Sequence, residues 1–325
     1  MCLKCKVLPA EVTANQNEPL CRTCLAEGIL TRFRNTVRLQ QLIKPGDKVL
    51  AAVSGGAASQ AMLYCLLQIQ NSNTMRPDRG KVTFDLEVVH VDEMNFAPNL
   101  QLQSNAALPL ISTGIEDATS AGRDTLRPAA QNSAAASRLP SQATAAIDSI
   151  LRSARPDHPL ACGVLRLDQG LSPVIFQSQS SKMRESSPIQ IEQDGHDPTS
   201  LSDSCQEQRD RLLLQYAISK GCNRLAMGYS STRLAVQVIA QAAKGRGLDI
   251  PASIHHLGPR VCQDASPAIV RPMRDTTSKD VALLCHFLGI PTSGPLHPHT
   301  TMRQSTYAHQ DINLLAMEFV TGLQG

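Results

Sequence analysis

Tryptophan is absent from this 325-residue chain, and aromatic residues make up only 3% of it. Any core must therefore be built from Leu, Ile, Val, Ala and Met. Charge of one sign is also lacking: 31 basic side chains stand against 28 acidic ones, net +3. An excess that small does not announce a nucleic-acid binder, because phosphate affinity comes from clustered cations. No run of about 18 apolar residues occurs, which excludes a membrane-spanning helix. No hydrophobic stretch follows Met1–Lys6, so no secretory leader is expected. Glycine and proline, 19 and 20 residues, show no period, which excludes collagen-like and wholly disordered classes.

The apolar fraction of 42% is enough for a sizeable core, and the length suits about two domains or one large one with additions. The cations are mostly arginine, which fits bidentate phosphate contacts and equally fits a compositional bias. Ten cysteines in a chain without a leader point to a reducing compartment, where they serve as metal ligands, buried apolar groups or reactive thiols.

Residues 1–30 are Cys-rich with little periodicity. Leu30, Phe33 and Val37 then mark a basic amphipathic helix that carries Arg32, Arg34 and Arg38. Pro45-Gly46-Asp47 signals a turn before the apolar run Lys48–Val53, which reads as a buried parallel strand. Ser54-Gly55-Gly56 ends it, a helix follows from about Ala58 to Gln70, and a second strand spans Val82–Val91. This is a βαβ unit of an α/β domain. From about Ala97 to Leu160 the chain is dominated by Ala, Ser, Thr, Gln, Asn and Pro. A second polar stretch, Ser178 to about Asp203, follows a short strand near Val174–Phe176. Residues 97–204 thus read as a largely disordered low-complexity insertion. Periodicity returns with a helix over Gln206–Lys220, a strand at Arg224–Gly228 and a helix over Leu234–Ala243. A helix over Thr277–Phe287 follows, with a capping box at Thr277 and Asp280 and stops at Gly289 and Pro291, and a last helix runs from about Gln310 to Leu323. The expected organisation is one interrupted α/β domain, residues 31–96 and 205–325, behind the N-terminal segment.

Cys2-x2-Cys5 and Cys21-x2-Cys24, fifteen residues apart, form a four-Cys zinc signature. A ribbon this small has almost no core, so the metal supplies folding energy and a structural role is expected. Lys4, Lys6 and Arg22 would be displayed beside it. The turn Ser54-Gly55-Gly56-Ala57-Ala58-Ser59 lies between a buried strand and a helix, where glycines let backbone N–H groups approach a phosphate. It is not the Walker pattern, because no Gly-Lys-Ser/Thr ends it. Its chemistry rests on Ser54, Gly55, Gly56 and Ser59.

That loop resembles the Ser-Gly-Gly-x-Asp-Ser pyrophosphate (PP) loop of the ATP-pyrophosphatases, which adenylate a carbonyl oxygen before a nucleophile displaces AMP. Together with the quartet and the segments Gly228–Ala235, Gly245-Arg246-Gly247 and Val270–Asp275, it resembles the cytoplasmic tRNA 2-thiolation protein 2 family. The resemblance implies a PP-loop, adenine-nucleotide-hydrolase-like fold. It also implies a cytoplasmic subunit of the complex that makes 5-methoxycarbonylmethyl-2-thiouridine at the wobble position of tRNAs for Lys, Glu and Gln. Its implied partners are tRNA, a catalytic thiolase subunit in a heterodimer and a ubiquitin-like sulfur carrier. Departures from the catalytic branch point one way. Ala58 replaces the loop Asp, and Ser202-Asp203-Ser204-Cys205 replaces a Cys-x-x-Cys. Val270 stands where a third Cys would precede Pro272, and Gly228-Tyr229-Ser230-Ser231-Thr232 replaces the metal-placing segment. One thiol cannot hold an iron–sulfur cluster, so none is expected, and the lost carboxylates remove the Mg2+ partners of an ATP site. Many members also continue beyond the point matching Gly325.

Cys65 and Cys285 fall on apolar helix faces and read as core, while Cys162, Cys222 and Cys262 have no partner spacing. Cys205 is the one candidate for a catalytic thiol. His255, His256, His297 and His299 lie in Pro-rich loops and read as ordinary exposed histidines. Asp92 ends a strand, where α/β folds bind ligands. Arg32, Arg34, Arg38, Lys244 and Arg246 are the candidates for tRNA phosphate contacts. Three readings follow: a non-catalytic tRNA-binding partner, an active ATP-dependent sulfurtransferase using Cys205, and a zinc-ribbon adaptor unrelated to tRNA.

Overall fold

A computed structural model describes residues 1–14, 18–75, 82–92, 142–154, 160–166, 198–258, 266–293 and 311–323. The N-terminal segment folds into a two-stranded antiparallel ribbon, β1 (Val12–Ala14) and β2 (Glu18–Leu20), with Val12 opposite Leu20. Helix α1 (Arg22–Leu39) follows at once and runs unbroken past residue 30. It starts eight residues before Leu30, the first mark of the expected amphipathic stretch, with Cys21, in extended backbone, as its N-cap residue. Ile29, Phe33 and Val37 form its buried stripe. That stripe, with Cys2, Cys21 and Cys24, joins the same buried cluster as Val49 and Leu63, so the ribbon is continuous with the main core.

Five parallel strands make the central sheet: β3 (Lys48–Ala52), β4 (Asp85–Asp92), β5 (Cys162–Arg166), β6 (Arg224–Met227) and β7 (Ala268–Val270), in the order β5-β4-β3-β6-β7. Val49, Leu50 and Ala51 are fully buried, as the apolar run predicts for a central strand covered on both faces. The chain builds outward from β3 through β4 to β5 and then returns to the other side of β3 with β6. The switch in direction therefore lies between β3 and β6, where open α/β sheets form a crevice at the carboxyl ends of their strands. Helix α2 (Ala57–Met75) follows β3.

Part of the interval read as an insertion belongs to the fold. Helix α3 (Gln142–Ala154) buries Ala143, Ala146, Ile147, Ile150 and Leu151, and β5 pairs with β4. The helix is hidden in composition because two of its five buried positions are alanine; only the 3.6-residue spacing betrays it. The expected strand at Val174–Phe176 and the rest of that interval lie outside the described residues.

Helix α4 (Pro198–Ser219) begins eight residues before the expected Gln206. Its first turns carry no apolar stripe and are held by polar contacts instead. Thr199 Oγ1 accepts from the Ile312 N–H (3.2 Å), and Asp203 accepts from Lys244 Nζ (2.7 Å). Helix α5 (Ser231–Ala243) is capped by Ser230, and α6 (Ile250–Ile254) is a short turn after it. Helix α7 (Ser278–Leu288) opens on Thr277, whose hydroxyl accepts from the Asp280 N–H (3.1 Å), and closes on left-handed Gly289. Helix α8 (Ile312–Gly322) packs on α5. Among the described residues no helix is long and apolar enough to cross a membrane.

One buried ion pair ties β3 to β6 at the amino end of the sheet. Arg224 Nε donates to Asp47 Oδ2 (2.9 Å), Asn223 Nδ2 donates to Oδ1 (2.7 Å), and the Lys44 N–H donates to Oδ2 (2.7 Å). Burial favours the neutral acid at Asp47, but these donors outweigh it and hold the carboxyl below its ordinary range. A depressed carboxylate pKa contributes stability above its unfolded value of about 4, and that contribution is lost as pH falls through the folded value. Arg224→Met, which strands the buried carboxylate, should cost about 3–5 kcal/mol in urea unfolding at pH 7. Asp47→Asn should flatten the fall of wild-type stability below about pH 4. An unchanged acid slope in that variant would contradict this role for the pair.

Candidate metal centre and phosphate loop

The cysteine quartet converges in space. The sulfur atoms of Cys2, Cys5, Cys21 and Cys24 all lie within 4.8 Å of one another, and Cys5 Sγ is 3.9 Å from Cys21 Sγ. A tetrahedral ion with metal–sulfur bonds of about 2.3 Å places its ligands about 3.8 Å apart, so the donor set fits such an ion. A tight turn presents the first pair: the Cys2 N–H bonds Leu8 O (2.8 Å), and Lys6 takes a positive φ of 56°. The second pair opens α1, with Cys21 as its N-cap residue and Cys24 in its first turn.

The protonation states within the quartet diverge. Hydrogen bonding at the Cys5 backbone, working against burial, lowers Cys2 to about 6. Backbone groups of Leu8 and Val7 lower Cys5. Hydrogen bonding to the Cys21 thiol, then burial, raises Cys24 to about 12. Four thiolates this close repel one another, and a divalent cation is what lets all four ionise, with release of protons.

The phosphate-type loop sits at the switch point, and its own chain engages it. Ser54 Oγ lies 3.2 Å from Ser59 Oγ, which also accepts the Ser54 N–H (3.2 Å) and donates to Gly56 O (2.9 Å). Gly55, at φ +86°, accepts the Ser293 N–H (3.0 Å) through its carbonyl. A Cβ there would fall 2.2 Å from Ser293 Oγ and 2.8 Å from Ala143 Cβ. Across the switch point, a Cβ at Gly228 would lie 2.6 Å from Ser59 Cα. The two loops therefore touch through backbone, and Ala58 supplies no carboxylate where a metal–triphosphate needs one. These residues do not fit a metal-bound ATP.

The remaining candidates fall into distinct surroundings. Arg34 and Arg38 are exposed on α1. Arg32 turns the other way, donating to Asp275 O (3.4 Å) and lying 3.9 Å from the buried Asp280 carboxylate. Lys244 and Arg246 both bond Asp203 (2.7 and 3.0 Å), and Lys244 is nearly buried. Arg22 is bonded to Glu11. Cys205 is half-buried on α4, and Asp92 is half-buried at the carboxyl end of β4. Burial pushes Cys65 up to about 12 and Cys285 up to about 11, as suits inert core thiols. Cys262, His297 and His299 lie outside the described residues.

His256 corrects the sequence reading. His255 is exposed, but His256 is buried between Asp275 Oδ2 at Nε2 (2.9 Å) and the Arg274 guanidinium at Nδ1 (2.9 Å). The partners lie 18 and 19 residues downstream, a pairing that local composition does not signal. Sequence reasoning also missed the Arg271 guanidinium lying over the Tyr229 ring at 5.8 Å, because the two residues follow different strands.

No family model matches the chain. Cytoplasmic tRNA 2-thiolation protein 2 of Danio rerio is 25% identical over 337 residues, covering 99% of this chain and 63% of the relative. The proteins of the same name from Bos taurus and Arabidopsis thaliana are 27% and 26% identical, each over 90% of this chain and over 58% and 55% of their own lengths. The chain thus spans less than two thirds of these relatives. Among solved structures, the U34-tRNA thiolase NcsA from Methanococcus maripaludis, determined with its [4Fe-4S] cluster, superposes with a TM-score of 0.58. It is 16% identical, with coverage of 99% of this chain and 81% of that one, a likeness of fold. Over nearly its whole length the chain is therefore similar to the cytoplasmic tRNA 2-thiolation protein 2 proteins, and it shares the α/β parallel-sheet fold of the NcsA thiolase.

Proposed function

We propose that the chain is a cytoplasmic, non-catalytic subunit in wobble-uridine 2-thiolation of tRNA. It binds tRNA and pairs with a catalytic thiolase subunit that draws sulfur from a ubiquitin-like carrier. The observation that carries this reading is the closed loop: Ser54 and Ser59 engage each other, Gly55 is packed under Ser293, and Ala58 stands in place of a carboxylate. With that loop, and with Cys205 as the one thiol at the position of the catalytic branch's Cys-x-x-Cys, the chain in this reading leaves ATP-dependent activation of the uridine to its partner. The names of the relatives support the pathway and the compartment.

The quartet is a structural zinc site in this reading. Four sulfur donors suit a d10 ion that needs no open position, and the ligands Cys2, Cys21 and Cys24 are themselves part of the core. In this reading Arg34 and Arg38, exposed on α1, are the cations there that meet tRNA phosphates.

In cells lacking the protein, mass spectrometry of bulk tRNA should find wobble 2-thiouridine lost. It should return with wild type and equally with a Ser54→Ala, Ser59→Ala variant. Thiouridine unchanged by the deletion would sink the tRNA reading, and failure of the double variant alone would mean that the loop acts in catalysis. Metal analysis of the purified chain should find one zinc per molecule, absent from a Cys2→Ser, Cys24→Ser variant, with chelation lowering the melting temperature of wild type. A wild-type chain free of metal and equally stable with chelator would rule out the structural zinc.

A further inference from the structure

Between the N-terminal ribbon, α1 and the start of α7 lies a cavity of about 580 Å³, a size that suits one small ligand or one residue of a larger one. Leu20, Leu25 and Ile29, all buried, give it aliphatic walls. Its exposed charges balance, Lys4 and Arg32 against Glu18 and Asp275. Asp275 is held through Oδ2, which accepts from His256 Nε2 (2.9 Å) and Thr36 Oγ1 (3.5 Å). Asp280 is different. It lines the cavity at 2% exposure, and its Oδ1 has no hydrogen-bond partner among the described residues. Its Oδ2 faces Arg32 Nη1 at 3.9 Å, too far for a hydrogen bond. A buried carboxylate short of donors carries a cost that N–H groups of a ligand would remove.

We propose that this cavity takes an unpaired guanine base of RNA, with the Asp280 carboxylate accepting from the ring N1–H and the exocyclic amine. The charges decide the class of ligand. With the exposed charges balanced and Arg32 already beside Asp280, a second cation is repelled, so a neutral donor is preferred to a basic side chain. Guanine alone among the RNA bases sets two N–H donors side by side on its pairing edge. Adenine and cytosine set an amine beside an acceptor, and uracil sets one N–H between two carbonyls. The two oxygens of a carboxylate match a pair of parallel donors, and aliphatic walls keep water from that edge. The choice of guanine rests on the cavity; RNA as its source, instead of a free guanine nucleotide, rests on the tRNA reading above. The site shares no residue with the Ser54–Ser59 loop or with Arg34 and Arg38, so it is separable from both.

Fluorescence anisotropy on the purified full chain tests it with two short uridine strands, one carrying a central guanosine and one a central inosine, which lacks the exocyclic amine. The guanosine strand should bind about tenfold tighter. Asp280→Asn should erase that difference. So should Gly28→Leu, which fills the cavity: Gly28 lines it, and the nearest contact of a Cβ there is Lys4 Nζ at 3.9 Å. Leucine also favours a helix more than glycine does, so this variant carries the test should Asp280→Asn fail to fold. Equal affinity for the two strands in wild type, or binding of neither while unmodified tRNA still binds, would overturn the site and leave the functional reading intact. A guanosine preference kept by the folded variants would do the same. Binding of neither strand nor tRNA, with thermal stabilisation by guanosine monophosphate that Gly28→Leu abolishes, would overturn RNA as the source and count against the functional reading. No response to strands, tRNA or nucleotide would overturn both.

Discussion

At Gly228 two backbones meet where only a glycine leaves room. A Cβ there would sit 2.6 Å from Ser59 Cα and 2.8 Å from its nitrogen, so the loop after β6 rests directly on the first turn of α2. This contact sits at the point where the sheet reverses its build direction, the place where α/β sheets open a ligand crevice. Ser293 and Ala143 close the other side over Gly55, and the two loop hydroxyls turn inward to each other. Elements from four stretches of chain therefore pack into the loop region. The buried Gly55 and Ser59 are thereby packed against other parts of the chain, while Ser54 stays exposed at the surface.

The N-terminal ribbon is bound into the same body by sharing its core. Cys21 serves as the N-cap residue of α1, and Leu25, Ile29, Phe33 and Val37 carry the core from the quartet to α2 and α7. A metal at the quartet thus fixes the first turn of a long helix. Arg22 extends the same coupling, lying over the Phe287 ring of α7 at 5.8 Å while bonding Glu11. Loss of an ion held there would for this reason perturb the whole domain. The site brings together thiols with opposed proton affinities, Cys2 lowered and Cys24 raised, that a bound cation would let ionise together.

The features legible in the sequence were those carried by local spacing. The two Cys-x2-Cys pairs, the apolar run of β3 ending in Ser-Gly-Gly, and the Thr277 and Gly289 caps of α7 each announce themselves within a few residues. What was not legible depends on partners far along the chain. The first turns of α4 are polar and hold through Lys244 and Ile312. Lys244 reads as a surface cation until Asp203, 41 residues away, claims it. The Arg271–Tyr229 stack joins two strand ends and has no linear signature. Helix α3 shows the intermediate case, with a true helical period hidden by small residues.

Calorimetric titration of Mg2+-ATP into the purified, metal-loaded chain tests the closed loop most directly. No heat of binding up to about 1 mM nucleotide is the result predicted, since a loop packed by its own chain and lacking a carboxylate at Ala58 has no site to offer. Stoichiometric binding at about 10 μM or tighter would contradict it, and would mean that Ser293 moves aside and that the loop still serves a nucleotide.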